Sequence, residues 1–327
     1  MRRREFVTLL GSAVAAWPLT GRTQQAEKVY RIGYLGVSSA ASQDTRFDAF
    51  RAGLATLGYA EGKNIVIEKR WLENRSYDQL EDLAGQLVDL KVDVIVTHAT
   101  PGVLAAKRAT TTIPIVIAAV GDAVETGLVS SLARPGGNVT GTTFFNPELS
   151  AKRTELLKEA IPGLVKAGIL YNPANPSNGP VLAAVNSTAQ ALKLELAEFP
   201  VRVPTDLDGA FAAMRAKSVS AFVITEDPML IYNIATSAKF ALQRRLAGCG
   251  FPEFARAGGF VGYGVDFPEL WRHAATFVDK ILKGTKPSDI PVEQPTKFQT
   301  IVNLKAAKTI DLEVPTSLLL RADEVIE

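Results

Sequence analysis

This 327-residue chain contains one cysteine, Cys249, so no intrachain disulfide and no cysteine-based metal site can form. Histidine is almost as scarce. His98 and His273 are the only two, no His-Glu-x-x-His spacing occurs, and a conventional zinc centre is excluded. Also missing are the Gly-x-x-x-x-Gly-Lys loop of nucleotide hydrolases, the Gly-x-Ser-x-Gly elbow of serine hydrolases, and a Gly-x-Gly-x-x-Gly opening a helix after the first strand. A Ser/His/Asp triad would have to recruit one of two histidines, and no cofactor is implied. Repeats of 20 to 50 residues and low-complexity segments are absent. Excess charge is lacking as well: the formal net charge is +2, and four bases (Arg2, Arg3, Arg4, Arg22) against one acid (Glu5) fall in the first 25 positions. Without them 32 bases face 33 acids, which lacks the basic footprint that nucleic acid demands.

Long apolar runs are missing too. The run over residues 7–19 follows the cationic Met1-Arg2-Arg3-Arg4-Glu5-Phe6 and is too short for a bilayer core of about 30 Å. It reads as the apolar region of a signal peptide covering residues 1–25, and Arg3-Arg4-Glu5-Phe6-Val7 resembles the twin-arginine export motif. Cleavage is expected between Ala13 and Ala26, releasing the mature chain into the periplasm.

What is present is alternation. Short β-rich runs at 30–35, 64–71, 92–97, 113–120 and 139–145 alternate with helical stretches at 44–57, 76–90 and 100–110. A second series follows, with strands at 167–171, 194–201 and 221–225, helices at 149–160, 179–192, 207–216 and 228–246, then a helix at 268–282, a late strand at 296–303 and a short helix at 304–310. Strands apolar on both faces predict parallel sheets covered by helices, and two such series predict two doubly wound α/β lobes, since about ten parallel strands would make an unusually broad single sheet. Cys249 is expected as a small core residue near the end of a helix.

Open α/β sheets bind ligands at the carboxyl ends of their strands, so the strand-exit loops are the places to look. Ser38 and Ser39 follow the first strand. Thr97-His98-Ala99-Thr100-Pro101 follows the third, with Thr100 as N-cap and Pro101 at the first helical position, a helix start able to hold a carboxylate. Asp122 follows the fourth and either meets a ligand cation or caps the next turn. In the second series Asn175 and Ser177 lie in a rigid, amide-rich loop, and Asp227-Pro228 repeats the cap-then-proline device, so that Asp227 is a helix cap or a ligand contact. Phe254 and Tyr263 are either aromatic walls or core packing.

The stretches Leu57-Gly58-Tyr59-Ala60-Glu61-Gly62-Lys63-Asn64-Ile65, Ala109-Thr110-Thr111-Thr112-Ile113-Pro114-Ile115-Val116, Ser131-Leu132-Ala133-Arg134-Pro135-Gly136-Gly137-Asn138-Val139-Thr140-Gly141 and Pro291-Val292-Glu293-Gln294-Pro295 carry a resemblance. Through them the chain resembles the ABC-transporter substrate-binding protein family that includes tryptophan- and tyrosine-binding members. The resemblance implies a periplasmic-binding-protein-like type I fold, with residues 28–145 plus about 266–290 in one lobe and 146–265 plus about 291–327 in the other. The chain would cross near Asn146, Asp266 and Pro291. The pocket positions implied are Ser38, Ser39, Thr97, Thr100, Asp122, Asn175, Ser177 and Asp227, with no metal and no catalytic residue. Two departures stand out: Asp122-Ala123-Val124 where relatives often carry Asp-Pro-Val, and His98 where a small residue is usual. The expected function is capture of a small organic ligand, an amino acid or related carboxylate, by a monomeric periplasmic protein that delivers it to an ABC permease and its ATPase. The alternatives are a sensor presenting its ligand to a membrane receptor, or an α/β hydrolase with His98 within reach of Ser38 or Ser39.

Overall fold

The computed structural model describes residues 28–73 and 75–327, with the backbone alone for 42–44. The first lobe is built from β1 (Tyr30–Gly36), α1 (Ala40–Thr56), β2 (Ile65–Trp71), α2 (Leu80–Asp89), β3 (Val94–Thr97), α3 (Ala99–Ala109), β4 (Ile115–Val120) and β5 (Val139–Thr143). Its strands lie in the order β2-β1-β3-β4-β5, all parallel. Successive side chains point to opposite faces. Val94 and Val96 accordingly join one core with Phe47, Phe50 and Leu54 of α1, while Ile95 joins another with Leu83 and Leu87 of α2 and Val103 of α3. The runs Val94-Ile95-Val96 and Ile115-Val116-Ile117 are apolar without interruption because both faces are covered.

The second lobe begins with α4 (Asn146–Ala160), β6 (Lys166–Tyr171), α5 (Asn178–Ala191), β7 (Glu195–Pro200), α6 (Asp206–Ala216), β8 (Ala221–Ile224), α7 (Pro228–Tyr232), α8 (Ile234–Gln243), β9 (Ala247–Gly250), α9 (Pro252–Arg256) and β10 (Val261–Gly264). The chain then returns through α10 (Phe267–Leu282), which packs on α1 and β4 of the first lobe. It ends in the second lobe with β11 (Gln299–Asn303), α11 (Leu304–Thr309), α12 (Thr316–Leu319) and β12 (Glu324–Ile326). The strand order is β12-β11-β10-β9-β8-β6-β7. α10 starts sharply because Asp266 Oδ1 accepts the Glu269 N–H at 3.1 Å and Pro268 occupies the first turn.

Four features depart from the sequence expectation. β11 runs antiparallel to β10, so the second sheet is mixed. Cys249 lies in the centre of β9, not at a helix end, and burial pushes its thiol up to about 12. The helix expected over 228–246 is two helices, broken at Asn233, whose side-chain amide donates to the Met229 carbonyl at 2.8 Å. Finally, the last crossing begins later than Pro291: Glu293 N–H donates to the Gly141 carbonyl at 2.9 Å and Glu293 O accepts from Thr143 N–H at 3.0 Å, so this residue still edges the first sheet. Phe254 is core, its ring filling the space left by Gly248, Gly250 and Gly259.

Candidate functional site

The exit loops of both sheets converge on a small cavity between the lobes. The first lobe contributes Arg46, His98, Thr100, Gly121, Phe267 and Trp271, and the second Asn175, Ser177, Glu226 and Tyr232.

β3 passes into α3 through a single tight corner. His98 is extended, and Ala99 takes φ +56°, a left-handed conformation that costs an L-residue roughly 1 kcal/mol. The helix therefore starts one residue before the expected cap. His98, not Thr100, is the N-cap, and it makes no side-chain capping bond. Thr100 is consequently inside the first turn, lining the cavity, and its buried Oγ1 has no hydrogen-bond partner among the described residues. The His98 Nε2 accepts the Val37 N–H at 3.2 Å, which places the ring proton on Nδ1. Burial, aided by the nearby Arg46 charge, lowers its pKa to about 3, so the ring is neutral. It packs at 5.1 Å from the Trp271 ring.

Arg46 is the cation of the site. Its Cζ lies 5.2 Å from the ring centre of Tyr232, 5.1 Å from Phe267 and 5.7 Å from Trp271, and its Nη2 is 3.3 Å from Glu253 Oε1 across the cleft. The Tyr232 hydroxyl is engaged by Arg46 and by Ser38. Glu226 is the anion. Arg153 grips both of its oxygens, Nη1 to Oε2 at 2.7 Å and Nη2 to Oε1, and Arg153 itself donates to the Tyr263 carbonyl from Nε at 2.8 Å and from Nη2 at 2.7 Å. A buried guanidinium so fixed holds the carboxylate in one orientation against the cavity wall.

Asp227 is placed differently from its neighbour. Fully buried, it accepts from Tyr77 Oη (2.9 Å) and Asn175 Nδ2 (3.0 Å) at Oδ2, and from Asn172 Nδ2 (3.2 Å) and Met229 N (2.9 Å) at Oδ1. Four donors use the carboxylate's roughly four acceptor sites, so Asp227 does not line the cavity but caps α7 and ties the lobes together. Burial raises its pKa, with those hydrogen bonds opposing.

Of the residues expected from the sequence, Thr100, Asn175 and Ser177 line the cavity. Asn175 Oδ1 accepts from both Ser177 N (3.1 Å) and Ser177 Oγ (2.9 Å), so these two polar side chains position each other. Ser38 borders an adjoining, larger interlobe cleft beside Tyr77 and Asn172. The others stand back from the cavity. Thr97 Oγ1 donates to the Leu35 carbonyl at 2.9 Å, joining β3 to β1. Asp122 Oδ1 accepts from Val124 N and Glu125 N, both at 3.0 Å, which is its capping alternative. Ser39 is the N-cap residue of α1. Arg46, Glu226, Tyr232, Phe267 and Trp271 were not singled out from the sequence. Glu226, next to Asp227, was the most accessible to such reasoning; α1 and α10 gave no local sign of facing a site. Among the described residues no group of three His, Cys, Asp or Glu is arranged to hold a metal.

The family described as ABC transporter substrate binding protein matches residues 32–326. A tyrosine-binding protein of Clostridioides difficile (strain R20291) is 28% identical over 290 residues, 88% of this chain and 83% of its own. Among solved structures, an ABC domain in complex with L-Trp from Streptococcus pneumonia aligns with a TM-score of 0.83 at 26% identity, covering 91% of this chain and 100% of that one. A ligand-free, open substrate-binding protein with adhesive properties from Clostridium difficile aligns at 0.64, with 25% identity and 91% and 99% coverage. At nearly equal identity the fit to the ligand-bound structure is the better, and the cross-cleft contacts of Tyr77 and Arg46 agree with lobes that are closed.

Proposed function

The chain belongs to the ABC transporter substrate-binding protein family, and from that premise we propose that it is the non-catalytic solute-binding component of an importer, holding an amino acid with a planar side chain between its closed lobes. The observation that carries this reading is one small cavity, walled by both lobes, that sets a guanidinium and a carboxylate among aromatic rings.

The ligand's α-carboxylate fits the start of α3, where helix N–H groups and the unmatched Thr100 hydroxyl offer donors at positive potential. The ammonium fits Glu226 beside Asn175 and Ser177. The side chain then lies among Trp271, Phe267 and Tyr232. Kinship with a tyrosine-binding protein and likeness to an L-Trp complex favour an aromatic amino acid. Ligand contacts reaching both lobes shift the population toward closure, and the closed form delivers its guest to the permease and ATPase. As a base His98 is unsuited, its Nε2 engaged by a backbone N–H. The lobe boundaries we propose are 28–145 with 266–293, and 146–265 with 294–327, since Glu293 still pairs with the first sheet. The signal peptide, within 1–25, lies outside the described residues. No described helix is long and apolar enough to cross a membrane, and we take the mature protein to be a periplasmic monomer.

Thermal unfolding of the chain from residue 28 onward tests this with L-tyrosine, L-tryptophan, other L-amino acids and aromatic acids. A bound ligand raises the midpoint by mass action. A midpoint unmoved by every amino acid at millimolar concentration would overturn the reading.

A further inference from the structure

We infer that Arg46 sets the chemistry of the ligand's side chain: the cavity selects an amino acid whose side chain ends in a hydrogen-bond acceptor, a phenolic oxygen or a carboxylate, over one that ends in hydrocarbon. The inference rests on the amino-acid-binding reading and deepens it.

Arg46 projects from α1 into the cavity with 10% of its side chain exposed. A guanidinium carries five N–H donors and no acceptor. The protein matches them with Glu253 Oε1 at 3.3 Å and with the Tyr232 hydroxyl. Tyr232, Phe267 and Trp271 have their ring centres within 5.7 Å of its Cζ, and two acceptors do not match five donors, so N–H groups remain for a guest.

Glu253 is a weak counterion for it. The contact is single and long, and Glu253 Oε2 is buried with no hydrogen-bond partner among the described residues. Burial also raises the Glu253 pKa, with the Arg46 charge opposing. The two polar ends of an amino acid already have places, the carboxylate at Thr100 and the ammonium at Glu226, which leaves the Arg46 end for the side chain. A hydrocarbon tip packed there would leave buried donors unmatched, whereas an acceptor would complete them. Sites built to bond a polar group reject the analogue that lacks it far more strongly than apolar pockets reject a missing methylene.

Calorimetric titration of L-tyrosine, L-4-carboxyphenylalanine and L-phenylalanine into the wild-type chain and Arg46→Met tests the inference, the first two separating a phenol from an anion. The wild type should bind at least one acceptor-bearing ligand about tenfold or more tighter than L-phenylalanine. Arg46→Met should bring that ratio close to unity while L-phenylalanine still binds. If removing Arg46 strands the Glu253 carboxyl and prevents folding, the double variant Arg46→Met/Glu253→Gln carries the same readout. Equal wild-type affinity for all three, or an unchanged ratio in the variant, overturns the inference alone. A wild type that binds none of them and no other amino acid overturns the functional reading beneath it.

Discussion

The hydroxyl of Tyr77, in the first lobe, donates to the Oδ2 of Asp227, in the second, across 2.9 Å. Asp227 is also the N-cap of α7 and the acceptor for Asn172 and Asn175, so one buried carboxylate links the cleft wall, a helix start and the opposite lobe. Because the two residues stand on opposite sides of the cleft, separation of the lobes would break this bond.

Tyr77→Phe keeps the ring and deletes that bond. A hydrogen bond to a charged group contributes about 1.5–3 kcal/mol, so ligand affinity should fall by about tenfold or more as the open population grows. Titration calorimetry reads the affinity, and small-angle scattering of the unliganded variant should show a larger radius of gyration. Identical affinity and radius would remove the latch.

Thr100 and Asp122 make a contrasting pair. Thr100→Val should weaken ligand binding by about tenfold, roughly 1.4 kcal/mol, with little loss of stability, because the hydroxyl has no hydrogen-bond partner among the described residues. Asp122→Ala should do the reverse, costing about 1 kcal/mol of stability through the loss of its two backbone bonds while affinity stays put. Denaturant unfolding and calorimetry on both variants check this, and an affinity loss confined to Asp122→Ala would invert the assignment.

At the corner between β3 and α3, Ala99→Gly should relieve the left-handed strain and raise stability by up to about 1 kcal/mol, visible as a higher thermal midpoint. A lower midpoint would mean that the methyl group contributes packing greater than the strain.

His98 makes stability depend on pH in a definite direction. Its folded pKa is about 3 against an ordinary 6.5, so between these values the unfolded chain binds more protons and stability falls as pH drops. From pH 7 to pH 5 the contribution is on the order of 2 kcal/mol. His98→Gln, which keeps an acceptor for the Val37 N–H, should flatten the decline in urea-unfolding free energy over that interval by a comparable amount. An equally steep decline would show that the imidazole is not the responsible group.

Much of the architecture could be read directly from residue order. Val94-Ile95-Val96 and Ile115-Val116-Ile117 are β-branched runs whose burial on both faces demands flanking helices, and that is a local property of the chain. Ala247-Gly248-Cys249-Gly250 carries no such signal. It becomes a strand because its glycines give room to the Phe254 ring and its neighbours β8 and β10 supply the ladder.

The site divides in the same way. That the loops around Thr100, Asn175 and Ser177 would face the interlobe cavity follows from where strands end. Which polar atoms remain available there does not, because Thr97, Asp122 and Asp227 are matched by donors and acceptors that folding brings to them. Arg46 and Trp271 reach the cavity only because α10 returns from the second lobe to pack on α1. Strand and helix formation depends on neighbours along the chain, whereas hydrogen-bond saturation and the burial of a charge depend on neighbours in space.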